Sequence, residues 1–224
     1  MKTTISIDGP AGVGKSTIGH ALAERLNAIF VDTGLMYRAL TLAAIERGIE
    51  PDDGPELGAL ATTSLIEVER PGPAHPHRLE TVRLDGRDVT DGVRHPQVDR
   101  SVSAVSQHRE VRLAMLDVQR SAALGGDVVM VGRDIGTVVL PEADLKVFLT
   151  AGDLVRAERR AAEMGAPEQV DAYLEEIRRR DAADSSRAIA PLRIPPDALV
   201  LDTEALDVAA CVDAIVGALE RIGA

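Results

Sequence analysis

Tryptophan is absent from this chain, and tyrosine and phenylalanine supply only two residues each among 224. A broad aromatic platform for stacking nucleic-acid bases is therefore excluded. Lysine occurs only at Lys2, Lys15 and Lys146; all other cations are arginines, and acidic residues outnumber both together, for a formal net charge of −11. That balance argues against a general binder of nucleic acid or of anionic membranes, which needs clustered cationic excess. The single cysteine, Cys211, has no partner for an internal disulfide, and its neighbours Val208, Val212 and Ile215 assign it to core packing. Long hydrophobic runs are also missing: none would span a bilayer, and a strand pattern starts almost directly after Met1, so a cytoplasmic protein is expected.

What is present starts at residue 9. Gly9-Pro10-Ala11-Gly12-Val13-Gly14-Lys15-Ser16-Thr17 matches the G-x-x-x-x-G-K-[ST] pattern of a phosphate-binding loop. The context fits as well, because Thr4 to Ile7 read as a buried strand and Ile18 to Leu26 as a helix. Glycines at 9, 12 and 14 let the backbone turn its N–H groups toward a polyphosphate, and the helix start adds its positive dipole end. Lys15 supplies a charge for the β and γ phosphates, and the Ser16 hydroxyl suits Mg²⁺. A nucleoside triphosphate is the expected ligand.

Further along, Ile29 to Val31 read as a second buried strand, after which Asp32 and Thr33 cap a helix that ends at Gly48. Residues 51–60 carry Pro and Asp and read as turns. Ile66 to Arg70, then Glu80 to Leu84, a turn at Asp85-Gly86 and Arg87 to Val89 read as a small β insertion, with a loop around His75 and His77 between. A helical stretch from Pro96 to Leu124, broken near Gln107, leads to strands at Val128–Val131, Leu145–Leu149 and Leu199–Leu201. Near-continuous apolar strands alternating with helices predict an α/β fold with a five-stranded parallel sheet flanked by helices. Ligands of such sheets collect at the C-terminal strand ends, where the glycine loop, Asp32-Thr33, Arg133-Asp134 and Ala151-Gly152 all fall.

Two arginine groups have helix spacing: Arg156, Arg159 and Arg160 at i, i+3 and i+4, and Arg180, Asp184 and Arg187 at i, i+4 and i+7. Alone they would pass for solvated faces paired with nearby glutamates. Beside a phosphate loop they suit the charge of a transferring phosphoryl group, on helices able to close as a lid. The guanine-reading Asn-Lys-x-Asp and the switch Asp-x-x-Gly are both absent, so a GTPase of the common type is excluded. Transfer onto a nucleotide or metabolite phosphate is favoured, since that acceptor is already anionic and needs no strong base.

In combination, Ile7 to Thr17, Asp32 to Arg38, Gly132 to Val139 and Arg180 to Leu192 resemble the bacterial cytidylate kinase family across essentially the whole chain. The resemblance implies a P-loop kinase fold and transfer of the ATP γ-phosphoryl group to CMP or dCMP with Mg²⁺ as cofactor. The core would comprise residues 1–60, 96–150 and 190–224, with 61–95 as the β-containing nucleoside-monophosphate insertion and 151–189 as an arginine-rich helical lid. The same resemblance puts Thr33 near the acceptor ribose, Arg38 and Arg133 on its phosphate, Ser103, Arg112 and Asp134 at the cytosine edge, and Arg180 and Asp184 at the sugar. Arg187, with Arg156 or Arg160, would stabilise the transferring group beside Lys15; Ser16 would hold Mg²⁺, with Asp32 as a contact through water. Small-molecule nucleotides are the expected partners, with no nucleic acid or membrane, and a monomer is the family expectation.

Three features depart from or strain that pattern. Val131 stands where relatives usually carry an acid, and Ala183 and Ser185 occupy lid positions that are often basic. Ser103 and Arg112, nine residues apart, would lie on opposite faces of one ideal helix, so their assignment needs a break between them. Another small P-loop kinase acting on UMP, AMP or a metabolite, and a nucleotide-binding regulatory module without transfer activity, are the alternative readings.

Overall fold

In the computed structural model, residues 2–75 and 77–223 are described; Pro76, in the loop expected around His75 and His77, lies outside them. The chain runs β1 (Thr4–Asp8), α1 (Lys15–Leu26), β2 (Ile29–Asp32), α2 (Thr33–Arg47), α3 (Gly54–Thr63), β3 (Ile66–Glu69), β4 (Thr81–Leu84) and β5 (Arg87–Asp88). It continues through α4 (Pro96–Val105), α5 (Arg109–Ala122), β6 (Val128–Gly132), β7 (Leu145–Thr150), α6 (Asp153–Glu163), α7 (Val170–Ser186), β8 (Leu199–Asp202) and α8 (Val208–Gly223). The five-stranded sheet has the order β2-β6-β1-β7-β8, and its pairs β1–β6, β1–β7 and β7–β8 are parallel. All five strands expected from the apolar runs are present.

Two compact units divide the chain, one formed by residues up to Ala28 with those from Asp127 onward, the other by Ile29–Gly126. In the first, β1 and β6 are inner strands whose side chains are buried on both faces, which is why they read as continuous apolar runs. Their register sets Ile7 beside Val131 and Asp8 beside Gly132. Val131 is fully buried there, a core residue in this chain. Helix α8 buries Cys211, Val212 and Ile215 as expected, whereas Val208, grouped with them from the sequence, is exposed at the start of the helix. Helices α6 and α7 pack on each other and are tied by Arg178 Nε to Asp153 Oδ2 at 2.6 Å.

The second unit contains the three-stranded antiparallel sheet β3-β4-β5, with the β4–β5 turn at Asp85 and Gly86, both at positive φ (50° and 78°). That pair of left-handed residues suits the right-handed twist of a tight hairpin. Two helical expectations resolve differently. The stretch from Pro96 breaks as expected, with Ser106-Gln107-His108 separating α4 from α5. Residues 51–60, expected as turns, instead enter α3, and the residues taken for breakers start it: Asp53 accepts from Glu56 N at 3.0 Å and Pro55 sits in the first turn, where its missing N–H costs nothing. Leu57, Leu60 and Ala61 are then buried, and Gly58 lies so close to Glu110 of α5 that a Cβ there would approach its Cβ to 2.5 Å.

Leu57 has no exposed surface. Replacing it with Ala is expected to cost about 2–5 kcal/mol in chemical denaturation; a loss below about 1 kcal/mol would show that α3 is not packed as described.

Candidate active site

The chain from β1 into α1 turns through residues of positive φ, with Gly9 at 153° and Gly14 at 89°. At Gly9 a Cβ would come within 2.5 Å of the Leu149 carbonyl oxygen of β7, so this position requires glycine for space as well as for conformation. Gly14, left-handed, is the N-cap of α1, and its carbonyl accepts from Ile18 N at 2.9 Å.

Four more of the loop's carbonyls accept from side-chain donors. Lys15 Nζ donates to Gly9 O at 2.8 Å and to Pro10 O at 2.6 Å. Arg156 Nη1 donates to Ala11 O at 3.0 Å, and the Thr203 hydroxyl to Val13 O at 3.2 Å. Carbonyls held in this way leave the N–H edge of the loop as the face presented to a ligand, and that face attracts anions. Ser16 lies in the first turn of α1. A single hydroxyl is a fitting donor for Mg²⁺, which takes its remaining ligands from phosphates and water.

Arginines of the same unit are paired with carboxylates. Arg156, 5% exposed, also donates to Ala151 O at 3.0 Å and to Asp181 Oδ2 at 2.7 Å. Asp184 bridges two guanidiniums, accepting from Arg133 Nε at 2.8 Å through Oδ2 and pairing with Arg187 through Oδ1. The structure therefore brings together Arg133, Asp184 and Arg187. Arg160 instead pairs with Glu163 at 3.0 Å, and Arg180 approaches Glu176 at 3.7 Å. Asp134 is buried, and its carbonyl accepts from Val138 and Val139 in a turn of π-helix over Ile135–Val139.

In the second unit, Asp32 caps α2 by accepting from Gly34 N at 2.9 Å, and Thr33 is buried in the first turn. Arg38 donates to Val93 O at 3.0 Å and pairs with Asp99 of α4. Ser103 and Arg112 are connected through the break between their helices: Arg112 Nη1 donates to Ser106 O at 3.1 Å, and the Ser106 hydroxyl to Ser103 O at 3.4 Å. The Arg112 guanidinium also stands 5.5 Å from the centroid of the Tyr37 ring.

Arg159, which the helix spacing grouped with Arg156 and Arg160, acts as a brace: it grips Thr203 through Nη1 to its Oγ1 (2.9 Å) and Nη2 to its carbonyl (2.6 Å), and so holds the hydroxyl that engages Val13. Other participants were not picked out from the sequence. Glu80 accepts from Asp32 N at 3.0 Å. Burial, then the neighbouring Asp32 carboxylate, push Glu80 up to about 8 against the pull of the Asp32 amide and Arg94. Asp8 is likewise pushed up, to about 6, chiefly by burial, with the Gly136 and Ile135 amides opposing. Asp8 alone gave a local signal, a carboxylate ending an otherwise apolar strand.

A strand, a glycine loop with carbonyls tied down, a lysine and serine opening the following helix, and carboxylate-paired arginines just after β6, in α6 and at the end of α7 define a P-loop nucleotide kinase. The family model for cytidylate kinase matches residues 5–221, and the chain belongs to that family. It is 46% identical to a cytidylate kinase of Exiguobacterium sibiricum over 92% of each chain. It is 45% identical to one of Geobacillus kaustophilus over 99% of each. Among solved structures, an uncharacterized protein from Eubacterium ventriosum shares the fold with a TM-score of 0.52 at 12% identity, over 99% of each chain.

A carboxyl whose folded-state value is raised stabilises the fold below its unfolded value, and that contribution is lost as pH rises through the folded one. For Glu80 the window runs from 4.5 to about 8. Glu80→Gln keeps an acceptor for the Asp32 amide and never ionises. Its stability advantage over the natural chain is expected to grow from pH 4.5 to 8 and level off above, reaching about 2–4 kcal/mol. Denaturation series at pH 5, 7 and 8.5 read this directly; an advantage that shrinks with pH would contradict it.

Proposed function

We propose that the chain transfers the γ-phosphoryl group of ATP in line to the phosphate of CMP or dCMP, giving ADP and CDP or dCDP. The observation that carries this reading is the glycine loop whose carbonyls at Gly9, Pro10, Ala11 and Val13 are all held by side-chain donors, in a chain of this family. The loop amides and Lys15 cradle the donor phosphates. Ser16 would hold Mg²⁺, with Asp32 as the contact through water; when bound, the ion neutralises charge on the β and γ oxygens.

Arg38 and Arg133 take the acceptor phosphate, for which a planar fork of donors is the natural complement. A guanidinium carries five N–H donors, so a carboxylate partner such as Asp99 or Asp184 orients it without exhausting it. Thr33 serves the ribose, with Arg180 and Asp184 at the sugar, and Ser103, Arg112 and Asp134 read the cytosine edge. Asp134 accepts from the N4 amino group, where uracil presents a carbonyl that would be repelled. Arg187, with Arg156 or Arg160, stabilises the charge of the transferring group. No strong base is required, and catalysis is positioning plus charge stabilisation. Residues 61–95 act as the acceptor insertion and 151–189 as the lid that excludes water. Among the described residues no helix is long and apolar enough to cross a membrane; the reading is of a cytoplasmic enzyme that works on small nucleotides, with a monomer as the expectation that the family resemblance carries.

With MgATP and each of CMP, dCMP, UMP and AMP, ADP release is expected to be strong for the two cytosine nucleotides alone. Turnover with UMP or AMP instead would overturn the acceptor reading. Arg133→Ala is expected to lower kcat/KM for CMP by about 10²–10³; a loss under about tenfold in a folded variant would remove Arg133 from the transfer step.

A further inference from the structure

Asp8 ends β1 directly before Gly9 of the phosphate loop and has no exposed surface. Its Oδ1 accepts the Ile135 amide at 2.7 Å and its Oδ2 the Gly136 amide at 2.8 Å. These are the two residues that follow Arg133 and Asp134. One carboxylate that takes two successive N–H groups fixes two adjacent peptide planes, and with them the path of the backbone leaving Asp134. The amides open the π-helical turn, where backbone donors lack partners within the helix. Gly136 makes the approach feasible: a Cβ there would lie 2.7 Å from Ser6 Oγ, 3.0 Å from Pro195 Cγ and 3.3 Å from Asp8 Oδ2.

We infer that Asp8 is a positioning residue for the acceptor, locking the Arg133–Asp134 turn to the strand that carries the phosphate loop so that both phosphates are presented at a fixed offset. The inference rests on the reading in which Arg133 and Asp134 take CMP. Asp8 itself touches neither nucleotide; it acts through the turn. In-line transfer is steeply sensitive to that offset, because a misplacement of about 1 Å can cost about 10²-fold in rate. A carboxylate suits the task because it offers acceptors only. An Asn in its place would turn one N–H donor toward a backbone N–H.

Two measurements test this. In the natural protein, hydrogen exchange of the Ile135 and Gly136 amides is expected to be as slow as that of the β1 and β6 amides, although both lie in a turn. Exchange as fast as in an exposed loop would overturn the clamp. In Asp8→Asn, kcat/KM for CMP is expected to fall about 10²-fold and the preference for CMP over UMP to narrow, while KM for ATP stays within about threefold. A folded variant with CMP parameters within about threefold of the natural enzyme would overturn the inference. So would an equal loss for ATP and CMP, which a merely structural role would produce. Gly136→Ala presses on the same contact from the other side; it is expected to give the same CMP-specific loss and decides the matter should Asp8→Asn fail to fold. If the natural enzyme does not phosphorylate CMP, the substrate reading fails, whereas amide exchange still tests the clamp.

Discussion

A phosphate-binding backbone must point its amides inward, and it can do so only if its carbonyls are satisfied elsewhere. Four side-chain hydrogen bonds within the first unit answer that requirement. Lys15 reaches back to Gly9 and Pro10, Arg156 reaches in from α6 to Ala11, and Thr203, gripped by Arg159, reaches Val13 from beyond β8. Donors from three separate parts of the chain therefore converge on a turn of a few residues. Each is a side chain in a defined place, so the loop's shape depends on α6 and on the end of β8 as much as on its own glycines.

The arginines obey a related logic. In a chain of net charge −11 each unit pairs arginines with carboxylates: Arg38 with Asp99 in the second, and Arg156 with Asp181 and Arg133 with Arg187 at Asp184 in the first. Pairing holds a flexible cation in one orientation before an anionic substrate arrives, which reduces the ordering that binding must otherwise impose. Arg156 combines both roles, since the same guanidinium meets Asp181 and the Ala11 carbonyl. A movement of α7 that shifted Asp181 would thus be felt at the phosphate loop.

Local patterns made much of this legible. The strand–loop–helix start, the helix break near Gln107, the hairpin at Asp85-Gly86 and all five sheet strands follow from spacing, apolar runs and turn residues. Helix α3 was missed because Asp53, Gly54 and Pro55 are turn formers by type and helix starters by position; only the burial of Leu57 and Leu60 against neighbouring elements decides between them. The braces were hidden for another reason. Asp8 meets Gly136 across 128 positions and Arg159 meets Thr203 across 44, and no periodicity reports a pairing at such separation. Ser103 and Arg112 show the converse: their incompatibility on one ideal helix was visible in the sequence, and the break at Ser106 resolves it.

The central claim is that the loop serves transfer to a nucleotide rather than hydrolysis. The most direct measurement follows a radiolabelled γ-phosphoryl group of ATP in the presence of CMP and resolves the products by chromatography. The account predicts that the label appears in CDP, in step with ADP, with little released as inorganic phosphate. Label appearing in inorganic phosphate at the same rate with or without CMP would contradict it.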